Sequence, residues 1–176
     1  HFSIQPTSPE YETRQYYVPN TNVLCTEFAA PDGRFRIWDC APRMTVHDRQ
    51  FKPLMLVRKI ELLSGDPSIR VVCEPRGDYG KIIPETVTGS NHIRFMGLES
   101  QVRTTTDISL NYILQKQPFV LDQTRYIVFT YGAPLEAPLK ETAEDFLQQT
   151  IKYWQDWVKG CYVPNIYQEQ IIRSAL

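Results

Sequence analysis

The chain has 176 residues, 42% of them hydrophobic and 22% charged, with 13 prolines and 8 glycines. That is enough apolar material for one full core with a short appendage, and too varied a composition for a disordered or low-complexity segment. Nineteen Lys and Arg against 20 Asp and Glu leave a formal charge of −1, which supplies no broad cationic surface for nucleic acid, and no apolar run approaches the roughly 18 residues of a membrane span.

The opening residues, His1 to Tyr11, contain neither the basic segment nor the apolar stretch of a secretory signal, and they read as a processed or cut end. Asn22 to Ala29 and Arg34 to Asp39 form the strongest hairpin signal, with Pro31-Asp32-Gly33 as the turn. Leu24, Thr26 and Phe28 share one face of the first strand, and Val23, Cys25 and Glu27 the other; in the second, Phe35 and Ile37 oppose Trp38 and Cys40. Strands apolar on both sides belong between two layers. Leu54 to Leu63 and Ile69 to Glu74 follow, separated by the turn sequence Ser64-Gly65-Asp66-Pro67. Asn91 to Leu98 and Gln101 to Thr106 predict a second hairpin, and Thr124 to Tyr131 a last strand. Seven or more short strands without a long helical pattern predict an antiparallel β-sandwich over residues 1–133.

Pro134 and Pro138 mark a linker, 134–141, after which the period changes. Ala143, Phe146, Leu147, Thr150, Ile151, Trp154, Trp157 and Val158 fall on one helical stripe, with Thr142 as the predicted N-cap and Gly160 as the stop. Two tryptophans on that stripe need a cover, since leaving them wet forfeits about 2–3 kcal/mol each by area transfer. A second helix is predicted from about Asn165, with Tyr167, Ile171, Ile172, Ala175 and Leu176 still in helical register where the chain stops, as at the edge of a longer protein.

Chemistry-bearing motifs are sparse. His1, His47 and His92 have no metal-ligand spacing, and no phosphate loop or nucleophile elbow is present, so neither a metal nor another cofactor is expected. Asp39, Asp78, Asp107 and Asp122 lie at strand ends or turns, where a carboxylate commonly bonds to nearby backbone, and Glu144 and Asp145 suit the first turn of a helix. Cys25, Cys40, Cys73 and Cys161 form no close pair, which favours buried thiols in the cytoplasm, with a Cys25 to Cys40 bridge the one geometry left open. Two loops place sugar-compatible groups together: Asn20, Thr21 and Asn22 in Tyr17-Val18-Pro19-Asn20-Thr21-Asn22, and Arg76, Asp78 and Tyr79 in Pro75-Arg76-Gly77-Asp78-Tyr79-Gly80.

Four segments stand out in order along the chain: Val18-Pro19-Asn20-Thr21-Asn22-Val23-Leu24 with Gly33 and Asp39, Leu56-Val57-Arg58-Lys59-Ile60-Glu61 with Ser64-Gly65, Pro75 to Gly80, and Trp154, Trp157, Cys161 and Tyr162 with Arg173-Ser174-Ala175-Leu176. Together they resemble glycoside hydrolase family fifteen, the glucoamylase and bacterial trehalase group. The resemblance runs in order from Tyr17 onward. It implies a supersandwich-like β domain, lacking its first strands, followed by the start of an (α/α)6 barrel in 142–176. It further implies hydrolysis of α-glucosides such as trehalose or α-glucans with inversion, by two glutamates beyond Leu176, so no catalytic residue is expected here. Trp154, Trp157 and Tyr162 would pack on the helical catalytic domain of the same polypeptide. A second copy of the chain could serve where missing strands leave an open edge. The alternative expectation is a stand-alone carbohydrate-binding or structural module without hydrolase activity.

Overall fold

A computed structural model describes all 176 residues, His1–Leu176. Its strands are β1 (Phe2–Pro6), β2 (Glu12–Tyr17), β3 (Leu24–Ala30), β4 (Gly33–Cys40), β5 (Met44–Val46), β6 (Arg49–Phe51), β7 (Met55–Gly65), β8 (Ser68–Cys73), β9 (Glu85–Thr88), β10 (His92–Met96), β11 (Val102–Thr106), β12 (Phe119–Val120) and β13 (Arg125–Tyr131). The helices are α1 (Leu110–Leu114), α2 (Leu139–Lys159) and α3 (Gln168–Ala175). The structure is mainly β, with open antiparallel sheets and no closed barrel.

Eight strands form one sheet in the order β2-β3-β4-β7-β13-β11-β10-β9, and β1-β8-β12 form a second, smaller one. Period-2 alternation then sorts side chains into two cores on opposite faces of the large sheet. Phe28, Phe35, Ile37, Ile60, Ile93, Phe95 and Ile127 meet Ile4, Ile69 and Val71 of the small sheet. Phe28 and Phe35 stack there at 4.9 Å between ring centroids. On the other face, Val23, Cys40, Val57, Tyr126 and Val128 are covered by Ala143 and Leu147 of α2. The two-sided apolar character of β3 and β4 therefore has a covering layer on each side, a sheet and a helix. The hairpin β5–β6 lies beside α2.

Gly33 and Gly65 are register partners where the β3–β4 and β7–β8 turns meet. A Cβ on Gly65 would lie 2.6 Å from the Asp32 carbonyl oxygen, and its φ of 71° is itself a glycine conformation. The register of β4 on β7 shifts beside this contact, between Arg34 and Phe35.

Several boundaries differ from those expected. The linker is 132–138, not 134–141, because α2 begins at Leu139 with Pro138 as its N-cap. A proline is tolerated there because its missing N–H would have no helical partner. Thr142 is consequently inside the first turn, and its hydroxyl donates to the Pro138 carbonyl at 2.6 Å. The second helix starts at Gln168 rather than near Asn165, since Tyr167 takes a left-handed conformation, φ 53°, that interrupts helical propagation. Sequence reading also missed β2 and β9, edge strands whose residues are almost all exposed and so carry no hydrophobic alternation.

Candidate functional site

The two loops singled out for sugar binding occupy separate places, and no hydrogen bond or ion pair joins them. In the first, Thr21 is fully buried; its hydroxyl donates to the Val18 carbonyl at 2.9 Å and accepts from the Val23 N–H at 3.0 Å. Asn22 is engaged by the chain's other end. Its Nδ2 donates to the Leu176 carbonyl at 2.5 Å, and its Oδ1 accepts from Arg173. Arg173 also donates to the Thr21 carbonyl at 2.7 Å and lies 4.0 Å from the centre of the Tyr17 ring. Only Asn20 is exposed with no side-chain hydrogen bond, at a left-handed φ of 60°. In the second loop Asp78 pairs with Lys81 at 3.1 Å, and the Tyr79 ring is fully exposed. Asp78 and Tyr79 both have positive φ, 42° and 53°, where non-glycine residues are uncommon. Arg76 lines a cavity of about 170 Å³ with Glu74, Phe95, Ile113 and Lys116.

The aromatic stripe of α2 is covered along only part of its length. Ala143, Leu147 and Thr150 are buried, and the Thr150 hydroxyl accepts the Arg43 N–H at 3.1 Å. Further along, Trp154 is half-buried under the Arg43 guanidinium, 5.2 Å from its ring centre. Trp157 is 39% exposed and Tyr162 almost wholly so. Between this end of α2 and the β5–β6 hairpin runs a cleft of about 390 Å³, walled by Tyr153, Trp157, Gln149, Lys152 and Asp156 opposite Met44, Thr45 and Gln50. Asp156 pairs with Lys159 at 2.8 Å and Lys152 at 3.2 Å, and these ammonium groups hold its carboxyl below the usual range. Two aromatic side chains beside amides and a charged pair make a sugar-compatible wall. The cleft escaped sequence reading because β5–β6 is a short hairpin with little apolar signal, and only packing sets it against the helix.

A polar network occupies the helix-facing side of the large sheet. Glu61 accepts from Arg36 Nε at 2.6 Å and from the Trp38 indole at 2.8 Å. Glu144 accepts from the Tyr126 hydroxyl at 2.6 Å and pairs with Lys59 at 2.7 Å. Burial alone would raise both carboxyls, but these donors more than offset it and hold both below the ordinary value. At the edge of the strand pair β2–β3, Tyr16 is raised to about 12 by its contact with Cys25, by burial and by the bond it donates to Glu27. An acid catalyst for glycoside cleavage needs a raised pKa and a water-holding gap to its base, and this saturated pair has a different character. Glu144 clamps α2 to the sheet, while Glu61 ties β7 to its neighbour β4.

Of the four aspartates expected to bond to backbone, Asp107 does so, accepting the Tyr126 N–H at 2.8 Å. Asp122 pairs with Arg125 and Asp78 with Lys81, while Asp39 pairs with Arg58 at 2.8 Å between the two sheets. That Arg58 Nε to Asp39 Oδ1 approach lacks hydrogen-bond geometry, so it is a charge contact, capped by the Phe2 ring 4.2 Å from the guanidinium. All four cysteines are free; Cys25 faces Trp38 across the ladder rather than Cys40. No group of three or more His, Cys, Asp and Glu side chains is placed to hold a metal. No helix is long and apolar enough to cross a membrane. No family model, curated protein or solved structure matches the chain.

Proposed function

We propose that the chain is the non-catalytic β-sandwich part of an inverting α-glucoside hydrolase of the glucoamylase and trehalase type, with α2 and α3 leading into a helical catalytic domain of the same polypeptide. The observation that carries this reading is the contact between Tyr17–Asn22 and Arg173–Leu176. These are two of the segments that resemble glycoside hydrolase family fifteen, they lie at opposite ends of the resemblance, and Arg173 and Leu176 bind directly to Thr21 and Asn22. A motif pair that is also a contact pair has a physical reason to occur together. The partly covered ring of Trp157 and the exposed ring of Tyr162 add a surface suited to further helices. Three buried thiols and a fourth partly covered one suit a reducing, cytoplasmic setting. On this reading the large sheet belongs to a supersandwich, and 142–176 opens an (α/α)6 barrel.

The test uses the polypeptide as cells make it. Its intact mass should exceed 20.5 kDa, and it should hydrolyse maltose with the non-reducing glucose appearing first as β-glucose by proton NMR, or trehalose to equal first amounts of α- and β-glucose. A product of the same mass as this chain, without hydrolysis, would overturn the proposal.

The cleft beside Trp157 supports a second reading, a carbohydrate-binding module. Titrating the 176-residue chain with glucose oligomers while following tryptophan fluorescence separates the two. Saturable quenching that W157A abolishes supports the module; its absence removes it.

A further inference from the structure

An opposed arginine pair on β10 and β11 has the character of an anion site. Arg94 lies directly opposite Arg103, and His92 directly opposite Thr105. Residues two apart on a strand share its face, so all four side chains occupy one side of the sheet. It is the side on which Val128, the partner of Thr105 on β13, joins the core beneath α2. Like charges directly opposed across a ladder are destabilising, and here nothing within the chain relieves them. Neither guanidinium forms an ion pair or donates a side-chain hydrogen bond. The acidic residue on the adjoining strand, Glu85 opposite Met96, is exposed and also in no ion pair.

Burial sharpens the point. The molecule has four buried side-chain polar atoms without a partner. Two belong to the Asp39 and Arg58 charge contact; the other two are Arg103 Nε and Thr105 Oγ1. Thr105 is only 4% exposed, so its hydroxyl has no alternative in solvent. Buried donors left unpaired are costly, and one belonging to an opposed arginine pair that borders a cavity suggests a ligand. A cavity of about 110 Å³ opens against Arg94 and Arg103, walled by Met96, Gln101, Gly132 and Pro134. At about 30 Å³ per water, that is room for a few waters or one tetrahedral anion. His92 is consistent with this field: burial, then Arg103 and Arg94, depress its pKa.

We propose that Arg94 and Arg103, which both line this cavity, bind a tetrahedral oxyanion in it, either free phosphate or the phosphate group of an ester. The planar forks of two arginines suit bidentate contact with such oxygens. The proposal is independent of any hydrolase activity.

The test is a titration of the full chain with inorganic phosphate, against chloride at matched ionic strength, following the Arg103 Nε–Hε resonance and the thermal midpoint. The expected result is a saturable shift of that resonance and a rise in midpoint with phosphate alone. R94Q alters an exposed residue and keeps the fold; it should weaken binding by about tenfold, and R103Q by at least as much. Without phosphate, R94Q should be no less stable than the parent, because it relieves the repulsion. A parallel titration with a hexose phosphate assigns the source: tighter binding than phosphate places the anion on an ester, and equal binding on the free ion. Chloride reproducing the shift, or R94Q binding phosphate like the parent, would overturn the site.

Discussion

Glu61 and Glu144 show how a carboxylate's surroundings decide what it does. Each receives one cationic and one aromatic donor, and their folded-state pKa values are held below the ordinary ones. The sign follows directly: folding weakens their proton affinity, so their contribution is fully present above the unfolded value of about 4.3 and is lost as pH falls through the folded values. Urea midpoints at pH 7 and pH 3 should therefore differ more in the parent than in E61Q. At fixed pH 7, E144Q should cost about 1–2 kcal/mol, because Lys59 and Tyr126 lose an ionised acceptor in a partly buried place. Asp39 acts oppositely: burial raises its pKa in spite of Arg58, so its ionisation opposes folding as pH rises. D39N still removes the partner of a largely buried guanidinium and should destabilise by about 2–4 kcal/mol in chemical denaturation, somewhat under the cost for a wholly buried pair. Sequence reading placed Glu144 in a helix first turn; with α2 starting at Leu139, the residue lies beyond that turn and reaches the sheet instead. Its partners come from two strands, and no local pattern announces them.

Among the elements, the hairpin β3–β4 and strands β7, β8, β10, β11 and β13 were legible to within about two residues, because alternation and turn residues agree there. The Gly33 and Gly65 approach depends on two turns meeting, so only the fold reveals why Gly65 is required. G65A combines a positive φ with a backbone clash and should lower stability by about 2 kcal/mol or more, measurable as a reduced urea midpoint with unchanged slope. α3 is attached differently. It has no fully buried residue, and Arg173 with the Leu176 carbonyl ties it to the 17–22 loop. R173A should leave the main thermal transition near its parent value while speeding proteolytic cleavage between Gly160 and Tyr167. If cleavage does not change, the guanidinium is not what holds α3.

For the molecule as a whole, the contrast lies along a single helix. Leu147, 2% exposed, belongs to the core beneath α2, and L147A should cost about 2–5 kcal/mol in this chain. Trp157, 39% exposed, is outside that core, and W157A should change the stability of the 176-residue chain by less than about 1 kcal/mol. If a helical domain covers that ring in the complete polypeptide, the same substitution there should be clearly more destabilising. Parallel thermal melts of the two forms supply the comparison. An equal, small effect in both would leave Trp157 to the cleft and to sugar.

Composition and periodicity by themselves determined a mainly β chain with apolar strands between two layers, a long amphipathic helix after the last strand, and the lack of any local metal or phosphate motif. Those properties are local: each is written in side-chain spacing within a few turns of chain. Only the tertiary structure decided that one layer is a three-stranded sheet and the other α2, that Thr21 and Asn22 serve Arg173 and Leu176, and that Arg94 faces Arg103 with no acid between them. Such pairings depend on register and on contacts between residues far apart in sequence, where a shift of one position would turn each side chain to the opposite face.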